Sequence, residues 1–237
     1  YYRLLKNKNE KESKLSKLRK EIKIEENELL KRDSGVFSLV LPTGLGKTLS
    51  SIELGEKNKN KIIYVVPYLS IADQTWEVLN DIYKNRDYKG IWDFLVKHDS
   101  RLNEKDYYKE DEETNIKDMV TSWRSKIIVT TTVQFFESII SVHSGKLRKL
   151  HNTYGATILI DEPQTLPYDK WCFLKKIIEE MSKELKWKVI YMSATPPTMT
   201  KDTVSLIKNE EYLFKQLDRT QLKFVGKTYG FKAISDW

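Results

Sequence analysis

Short apolar runs rich in β-branched residues recur along this chain, and a segment with helical periodicity follows most of them. Runs that are apolar throughout are typical of strands buried on both faces, and the helices between them supply the crossovers that parallel strands need. The predicted strands cover residues 36–41, 61–66, 126–131, 156–160 and 188–192, and the helices between and after them cover 47–56, 70–83, 133–142 and 168–185. This alternation predicts an α/β fold with a mostly parallel sheet and helices on both faces.

Three stretches lie outside that alternation. Residues 1–34 are predicted to form a helical lead-in, because apolar residues recur at helical spacing from about residue 9 to residue 31. Residues 84–125 are predicted to be a polar insertion within a domain that covers 35–210. A last helix is expected at 203–208, and residues 211–237 are expected to begin a linker, with 222–225 as either one more strand or part of that linker.

Composition narrows the class of protein. The 237 residues carry a formal net charge of +7, which weakly favours a polyanionic partner. Cys172 is the single cysteine, so an internal disulfide and a cysteine-based zinc cluster are excluded. No apolar run approaches the roughly 20 residues that cross a bilayer, and no signal peptide is recognisable. We therefore expect a cytoplasmic protein without a membrane partner, and the first residue, Tyr1, suggests a piece of a longer chain.

A glycine-rich loop joins the first predicted strand of the sheet to a helix. Glycines let successive backbone N–H groups turn towards phosphate oxygens, and the helix N-terminus adds positive potential. Lys47 would reach the β- and γ-phosphates of ATP, and the Thr48 hydroxyl would hold Mg²⁺. Such loops usually open with glycine, whereas Leu41 stands here. The predicted ATP-binding residues are Pro42, Thr43, Gly44, Leu45, Gly46, Lys47 and Thr48.

Two adjacent carboxylates, Asp161 and Glu162, follow a later apolar strand. In an open α/β sheet this end of a strand faces the ligand crevice. Asp161 is predicted to hold Mg²⁺ through water, and Glu162 to polarise the attacking water as general base, with Lys47 as the second catalytic residue. After the next strand come small residues that are predicted to couple this acidic box to loss of the γ-phosphate, namely Ser193, Ala194 and Thr195.

With these motifs in this order, the chain resembles the first RecA-like domain of the CRISPR-associated helicase–nuclease of type I interference systems, a superfamily-two helicase. The matching segments are residues 41–48, 63–74, 129–138, 146–152, 160–167 and 192–197, spread over 35–197. The most specific of them are Phe135-Phe136-Glu137-Ser138 and the lead into the acidic box, Arg148-Lys149-Leu150-His151-Asn152.

The resemblance implies an ATP- and Mg²⁺-dependent DNA helicase or translocase fragment of an antiviral defence system. It implies partners beyond single-stranded DNA: a second RecA-like domain that would supply an arginine finger, an HD nuclease domain, and a CRISPR RNA-guided surveillance complex. No nuclease centre is expected within this chain. By the same resemblance, the residues that touch the backbone of single-stranded DNA would be Pro67, Ser70, Gln74, Thr131, Thr132 and Gln134.

The match has one further departure, and two other interpretations stay open. Pro163 stands where the family usually has a small or aliphatic residue. An RNA helicase of the DEAD-box type is one alternative, although no glutamine precedes Gln74 and the acidic box reads Asp-Glu-Pro-Gln. A non-catalytic nucleotide-responsive binding module is the other. Most tryptophans are predicted to serve packing rather than base stacking, namely Trp76, Trp92, Trp123, Trp171 and Trp187.

Overall fold

The fold is built on one parallel sheet. The computed structural model describes residues 14–84, 94–101, 120–141, 149–195 and 202–217. Its strands are β1 (Gly35–Val40), β2 (Ile62–Val66), β3 (Leu95–His98), β4 (Ile127–Thr131), β5 (Thr157–Asp161), β6 (Lys188–Ser193) and β7 (Val204–Ser205). They lie side by side in the order β3-β4-β2-β5-β6-β1-β7, and every neighbouring pair is parallel.

Helices cover both faces of the sheet. They are α1 (Lys14–Glu21), α2 (Glu26–Leu30), α3 (Lys47–Lys57), α4 (Leu69–Lys84), α5 (Thr132–Ile140), α6 (Trp171–Glu184) and α7 (Glu210–Gln216), with short 3₁₀ turns at Pro163–Thr165 and Tyr168–Lys170. The predicted α/β fold with a mostly parallel sheet is confirmed.

Alternate residues of the inner strands enter two separate apolar cores, as the two-residue period of a strand requires. In β2, Ile62 and Tyr64 pack with residues of α3 and α4 on one face. Ile63 and Val65 pack with residues of α5 and α6 on the other. All five residues of β2 are buried, so this central strand has no solvent-facing side. The sheet is therefore a rigid support for the loops at its ends.

Two predicted helices at the ends of the chain are wrong. The single helix expected at about 9–31 is two helices, α1 and α2, within its described part. Ile24 lies between them and forms an antiparallel bridge with Ile207, so tertiary pairing overrides the local helical pattern. The helix expected at 203–208 is instead β7, which pairs with Phe37 and Ser38 of β1, and the helix α7 begins only at Glu210.

One strand went unpredicted because it lies within the polar stretch 84–125. Leu95–His98 forms β3 at the edge of the sheet beside β4, and it is too short to stand out from its charged neighbours. Residues 85–93, 102–119, 142–148 and 218–237 lie outside the described part. The predictions for Trp92, for most of the insertion and for most of the linker fall on these residues and stay predictions.

The tryptophans with the deepest burial serve packing and internal hydrogen bonding. Trp123 and Trp187 are fully buried, and their indole N–H groups donate to His98 Nδ1 at 2.9 Å and to the Thr153 carbonyl oxygen at 2.9 Å. Trp76 and Trp171 are partly buried against the two cores. Among the helices described, none is long and apolar enough to span a membrane.

Parallel pairing brings the C-terminal ends of the strands to one edge of the sheet. The loop at Pro42–Thr48 follows β1, the acidic box follows β5, and Ala194 follows β6. These three strands are neighbours, so the three motifs meet. The segments after β2 and β4 lie on the other half of the same edge, where Pro67 and Thr132 are found.

Candidate active site

The glycine-rich loop has the open backbone that a ligand cradle needs. Gly44 and Gly46 have φ values of +82° and +86°, a left-handed conformation that glycine adopts without strain. A Cβ atom placed on Gly46 would meet nothing within 4 Å, so the space beside the loop is free. The first amides of α3, which follow at once, have no intrahelical acceptor. Together they form a surface of N–H groups suited to an anion.

The departure at Leu41 leaves this cradle unobstructed. Leu41 is fully buried and belongs to the apolar core on the α3 side of the sheet, and its N–H donates to the Ser193 carbonyl oxygen at 3.1 Å. The larger side chain is thus used for packing below the loop. Leu45 is also fully buried and anchors the middle of the loop, while Thr43 and Gly44 are exposed.

Lys47 brings the loop and the acidic box together. Its Nζ donates a hydrogen bond to Glu162 Oε1 and lies 3.2 Å from Asp161 Oδ1. The Lys47 side chain is only 15% exposed, so this ion pair is shielded from solvent on most sides. The positive charge that the loop offers to an anion is therefore held by the two carboxylates in this structure.

The backbone presents Glu162 in an unusual way. Its φ and ψ are 47° and 58°, a left-handed conformation that is uncommon for any residue other than glycine. The N–H of Glu162 donates to the Met192 carbonyl oxygen at 2.8 Å, and buried Pro163 begins the 3₁₀ turn that follows. Pro163, a departure from the family pattern, thus belongs to the turn that fixes this carboxylate in place.

A hydrogen-bonded triangle joins the acidic box to β6. Ser193 Oγ lies 3.2 Å from Glu162 Oε2 and 3.1 Å from Gln164 Oε1, and Gln164 Nε2 donates to Glu162 Oε2 at 2.6 Å. The Thr195 N–H donates to Ser193 Oγ at 3.1 Å. Ala194 is half-buried between them, and no side-chain role is seen for it.

Gln164 is a site residue that the sequence reasoning missed. Its position two residues after Glu162 in a 3₁₀ turn was the available signal, because so tight a turn brings the side chain back beside the carboxylate.

The two carboxylates have pKa values shifted in opposite directions. Burial raises the pKa of Asp161, and the nearby Lys47 charge offsets only part of that effect. Burial also acts to raise the pKa of Glu162, but hydrogen bonds from Lys47, Gln164 and Ser193 outweigh it and leave that pKa below its ordinary value. Glu162 is therefore the more firmly ionised of the pair at neutral pH.

The residues present fit a magnesium ion bound together with a phosphate. Thr48 and Asp161 contribute only oxygen donors, the kind that Mg²⁺ prefers. Asp161 Oδ1 is buried without a directed hydrogen bond from any described group. Across the described residues there is no cluster of three or more His, Cys, Asp or Glu side chains that could hold a metal by itself. A cation here would thus depend on ligands from the phosphate and from water, as Mg²⁺ commonly does.

The other half of the sheet edge carries the residues assigned to single-stranded DNA. Ser70 and Gln74 are exposed along α4. The Thr132 hydroxyl donates to the Val66 carbonyl oxygen at 3.0 Å, and Thr131 Oγ1 accepts from the Gln134 N–H at 3.3 Å as the N-cap of α5. These two threonines therefore brace the junction of β2, β4 and α5 rather than project into solvent.

An open groove lies beside those residues. It has a volume of about 1020 Å³ and is lined by Pro67, Tyr68 and Thr132 on one side and by Leu166, Pro167 and Phe173 on the other. Pro67 and Thr132 are thus the two assigned residues that face it.

The sequence contains one adjacent His-Asp pair, His98-Asp99, and the structure gives it a packing role. His98 is buried and accepts the Trp123 hydrogen bond, and burial lowers its pKa to about 3. Asp99 accepts from Arg101 at 2.8 Å. Both side chains are occupied by protein partners at the end of β3.

Comparisons with known proteins find similar helicases. The chain is 29% identical over 193 residues to the CRISPR-associated nuclease/helicase Cas3 of Haloferax volcanii. The match covers 73% of this chain and 20% of that protein, so the chain spans about a fifth of the relative's length. The resemblance drawn from the sequence motifs is confirmed.

Solved structures of helicases are similar at lower identity. The DUF1998 helicase MrfA bound to DNA gives a TM-score of 0.47 at 16% identity, covering 81% of this chain and 25% of that one. A hypothetical ATP-dependent RNA helicase from Sulfolobus tokodaii gives 0.49 at 17% identity, covering 81% and 56%.

The broadest match is to a protein family. Residues 5–198, which include the loop, the acidic box and the segment after β6, match the family described as the Type III restriction enzyme res subunit. The match extends over well over half of the 237 residues. The chain therefore belongs to that family.

Proposed function

We propose that this chain is the ATP-binding motor domain of a DNA helicase or translocase that acts in CRISPR-associated antiviral defence. One observation carries the proposal: Lys47, after β1, meets Asp161 and Glu162 at the end of β5, and these two parallel strands flank β6. A loop that only reverses the direction of the chain does not need a lysine buried against two carboxylates. The family and the Haloferax relative support the same activity.

Binding of ATP would displace the Lys47 side chain from Asp161 and Glu162. The polyphosphate would accept N–H groups from the loop and from the first turn of α3, and Lys47 would move to the β- and γ-phosphates. Thr48 and Asp161 would hold Mg²⁺, which supplies charge neutralisation at the transferring phosphate when bound. Release from Lys47 would free Glu162 to accept a proton from the attacking water.

The hydrogen bonds among Ser193, Gln164 and Glu162 would change with the state of the bound nucleotide. Glu162 Oε2 accepts a hydrogen bond from Gln164 Nε2, and the Ser193 hydroxyl lies within hydrogen-bonding distance of it at 3.2 Å. When Glu162 turns to the attacking water, one of these hydrogen bonds has to lengthen or break. We propose that Ser193, Ala194 and Thr195 pass this change along β6 and into the segment beyond it.

Single-stranded DNA would lie along the other half of the sheet edge. Ser70 and Gln74 are exposed on α4 there, and α5, capped by Thr131, begins at the same edge of the sheet. Hydroxyl, amide and backbone N–H groups contact phosphates without reading sequence. A second RecA-like domain, an HD nuclease domain and an RNA-guided surveillance complex would be the partners, by analogy with the longer relative.

Fluorescence anisotropy with labelled single strands, run beside a phosphate-release assay, tests this function. We expect weak binding with a shallow but measurable salt dependence, because a single domain contacts few phosphates and so releases few counterions. Replacing Ser70 and Gln74 with alanine together should weaken binding about fivefold, since phosphate-positioning contacts are lost. Phosphate release should be slow, because an arginine finger from another domain can supply about a thousandfold in rate.

The matched control is Gln216→Ala, the same substitution on α7, and it should leave DNA binding unchanged. Brisk DNA-stimulated turnover by the 237-residue chain would show that the catalytic site is complete without a second domain. If the double variant and the parent bind DNA with equal affinity, α4 does not contact the DNA.

A further inference from the structure

Arg19 reaches from the lead-in helix to the glycine-rich loop. Its Nε and Nη2 atoms both donate to the Gly44 carbonyl oxygen, at 3.2 and 2.8 Å. The two residues are 25 positions apart in the chain, and nothing in the loop motif calls for an arginine there. The sequence reasoning missed this residue because only the packing of α1 brings it to the loop.

The helix that presents Arg19 is anchored on both sides. Leu18 is 4% exposed and packs in the core below the sheet. The Glu21 carboxylate accepts from the Tyr212 hydroxyl at 2.8 Å, and its carbonyl oxygen accepts from Asn209 Nδ2 at 2.8 Å. Arg19 therefore extends from a helix that is fixed between the core and the start of α7.

The contact holds a glycine peptide unit of the loop. Gly44 is exposed and left-handed, and a glycine peptide of this kind reverses with little steric hindrance. Arg19 holds the carbonyl of the Gly44–Leu45 peptide, while the Leu45 N–H donates to the Pro42 carbonyl oxygen at 3.3 Å. With both ends of the peptide held, its carbonyl oxygen stays on the Arg19 side of the loop.

We propose that Arg19 is a positioning residue of the nucleotide site, which holds the Gly44 carbonyl away from the phosphate cradle and so preorganises the loop for a triphosphate. The inference rests on the proposed function. A carbonyl oxygen turned into the cradle would face the phosphate oxygens and repel them. The guanidinium also adds positive charge beside the loop, where a bound polyphosphate benefits from it.

Two variants of Arg19 test the proposal on the 237-residue chain. Arg19→Met keeps the apolar stem and removes the donors, while Arg19→Lys keeps a charged donor that can make one hydrogen bond. Titration calorimetry with Mg·ATP should show affinity weaker by on the order of tenfold for Arg19→Met. Arg19→Lys should recover part of that loss. Lys17→Met, an exposed lysine on the same helix, is the matched control and should bind as the parent does.

Thermal unfolding without nucleotide separates positioning from simple stabilisation. The nucleotide-free Tm of all three variants should stay within about 2 °C of the parent, because the contact is exposed and individually weak. Parental affinity in Arg19→Met, or equal losses in Arg19→Met and Arg19→Lys, would overturn the positioning role. A parent that fails to bind Mg·ATP is a different result, since it removes the proposed function together with this inference.

Discussion

At the residue scale, Asp161 and Glu162 are adjacent in the chain but differ in electrostatic environment. Burial dominates at Asp161 and raises its pKa, whereas hydrogen bonds dominate at Glu162 and lower its pKa. Neighbouring groups whose pKa values are driven apart are typical of sites with divided roles. Glu162 could serve as a general base once Lys47 has moved away from it, and the buried Asp161 suits a cation ligand, because a bound cation would offset the burial that disfavours its charge.

Replacing Asp161 with asparagine should stabilise the nucleotide-free chain. The charged form of Asp161 is disfavoured by burial, and asparagine removes that charge at nearly constant volume. We expect a rise in Tm of about 2–4 °C at pH 7.5, the shift that about 1 kcal/mol produces in a chain of this size. Differential scanning fluorimetry without nucleotide measures it, with the exposed Asp169→Asn as the matched control.

The gain in Tm from Asp161→Asn should depend on pH in a definite direction. The folded pKa of Asp161 lies above the unfolded value, so its unfavourable charge is fully present above the folded pKa. That disadvantage disappears as the pH falls through the folded pKa towards about 3.9. The Tm gain of Asp161→Asn should therefore shrink on acidification. A variant less stable than the parent at neutral pH would show that the Lys47 ion pair outweighs burial.

Sequence patterns could predict some of this site because a few residue types are tied to local backbone geometry. The loop residues and the paired carboxylates each stand at the end of an apolar strand, so their meeting follows from parallel pairing. Gln164 and Arg19 could not be found in that way. Each acts through a side-chain contact that depends on a particular turn or on helix packing; the spacing of Gln164 from Glu162 gives a hint only once the turn is known, and Arg19 leaves no spacing pattern. The catalytic and binding roles of the site residues remain predictions.

At the scale of elements, long periodic segments and buried strands were predictable, and short edge elements were not. Strands β1, β2, β4, β5 and β6 lie within one residue or so of their predicted bounds. The break between α1 and α2, and the strand β7, depend on pairing between Ile24 and Ile207 and between β7 and β1. Such pairing joins residues far apart in the chain, so no local window contains its signal.

The packing of α3 against β2 supports the glycine-rich loop from behind. Gly55 of α3 approaches Ile62 so closely that an added Cβ would lie 2.7 Å from Ile62 Cδ1 and 2.8 Å from Cγ1. This close approach explains a glycine inside a helix, where alanine is otherwise favoured by about 1 kcal/mol. Any change that pushes α3 outwards would move the loop attached to its N-terminus.

Gly55→Ala should therefore destabilise the chain. Overpacking costs roughly 1–3 kcal/mol, and the better helix propensity of alanine offsets part of it. We expect a net loss of about 1–2 kcal/mol in the free energy of unfolding, measured by urea denaturation. Glu53→Ala, exposed on the same helix, should change it by less than about 0.5 kcal/mol. A Gly55→Ala chain as stable as the parent would mean that Ile62 moves aside without strain.

At the scale of the whole molecule, strand order divides the sheet edge into two halves. Strands β5, β6 and β1 present the carboxylates, Ser193 and the glycine-rich loop, while β2 and β4 present the segments assigned to DNA. Because β2 and β5 are hydrogen-bonded neighbours, the two halves share one rigid sheet. The turn after Glu162 connects the two halves directly, because its residues Thr165 and Leu166 also line the groove on the other half.

Mg·ATP binding measured by titration calorimetry tests the central claim, that Lys47 and its two carboxylates form a nucleotide site. The parent chain should bind Mg·ATP, and Lys47→Ala should bind it at least tenfold more weakly, because a charged hydrogen-bond donor to the phosphates is lost. Glu162→Gln should retain binding, since the general base is not needed to hold the nucleotide. Equal affinity of Lys47→Ala and the parent for Mg·ATP would contradict the account.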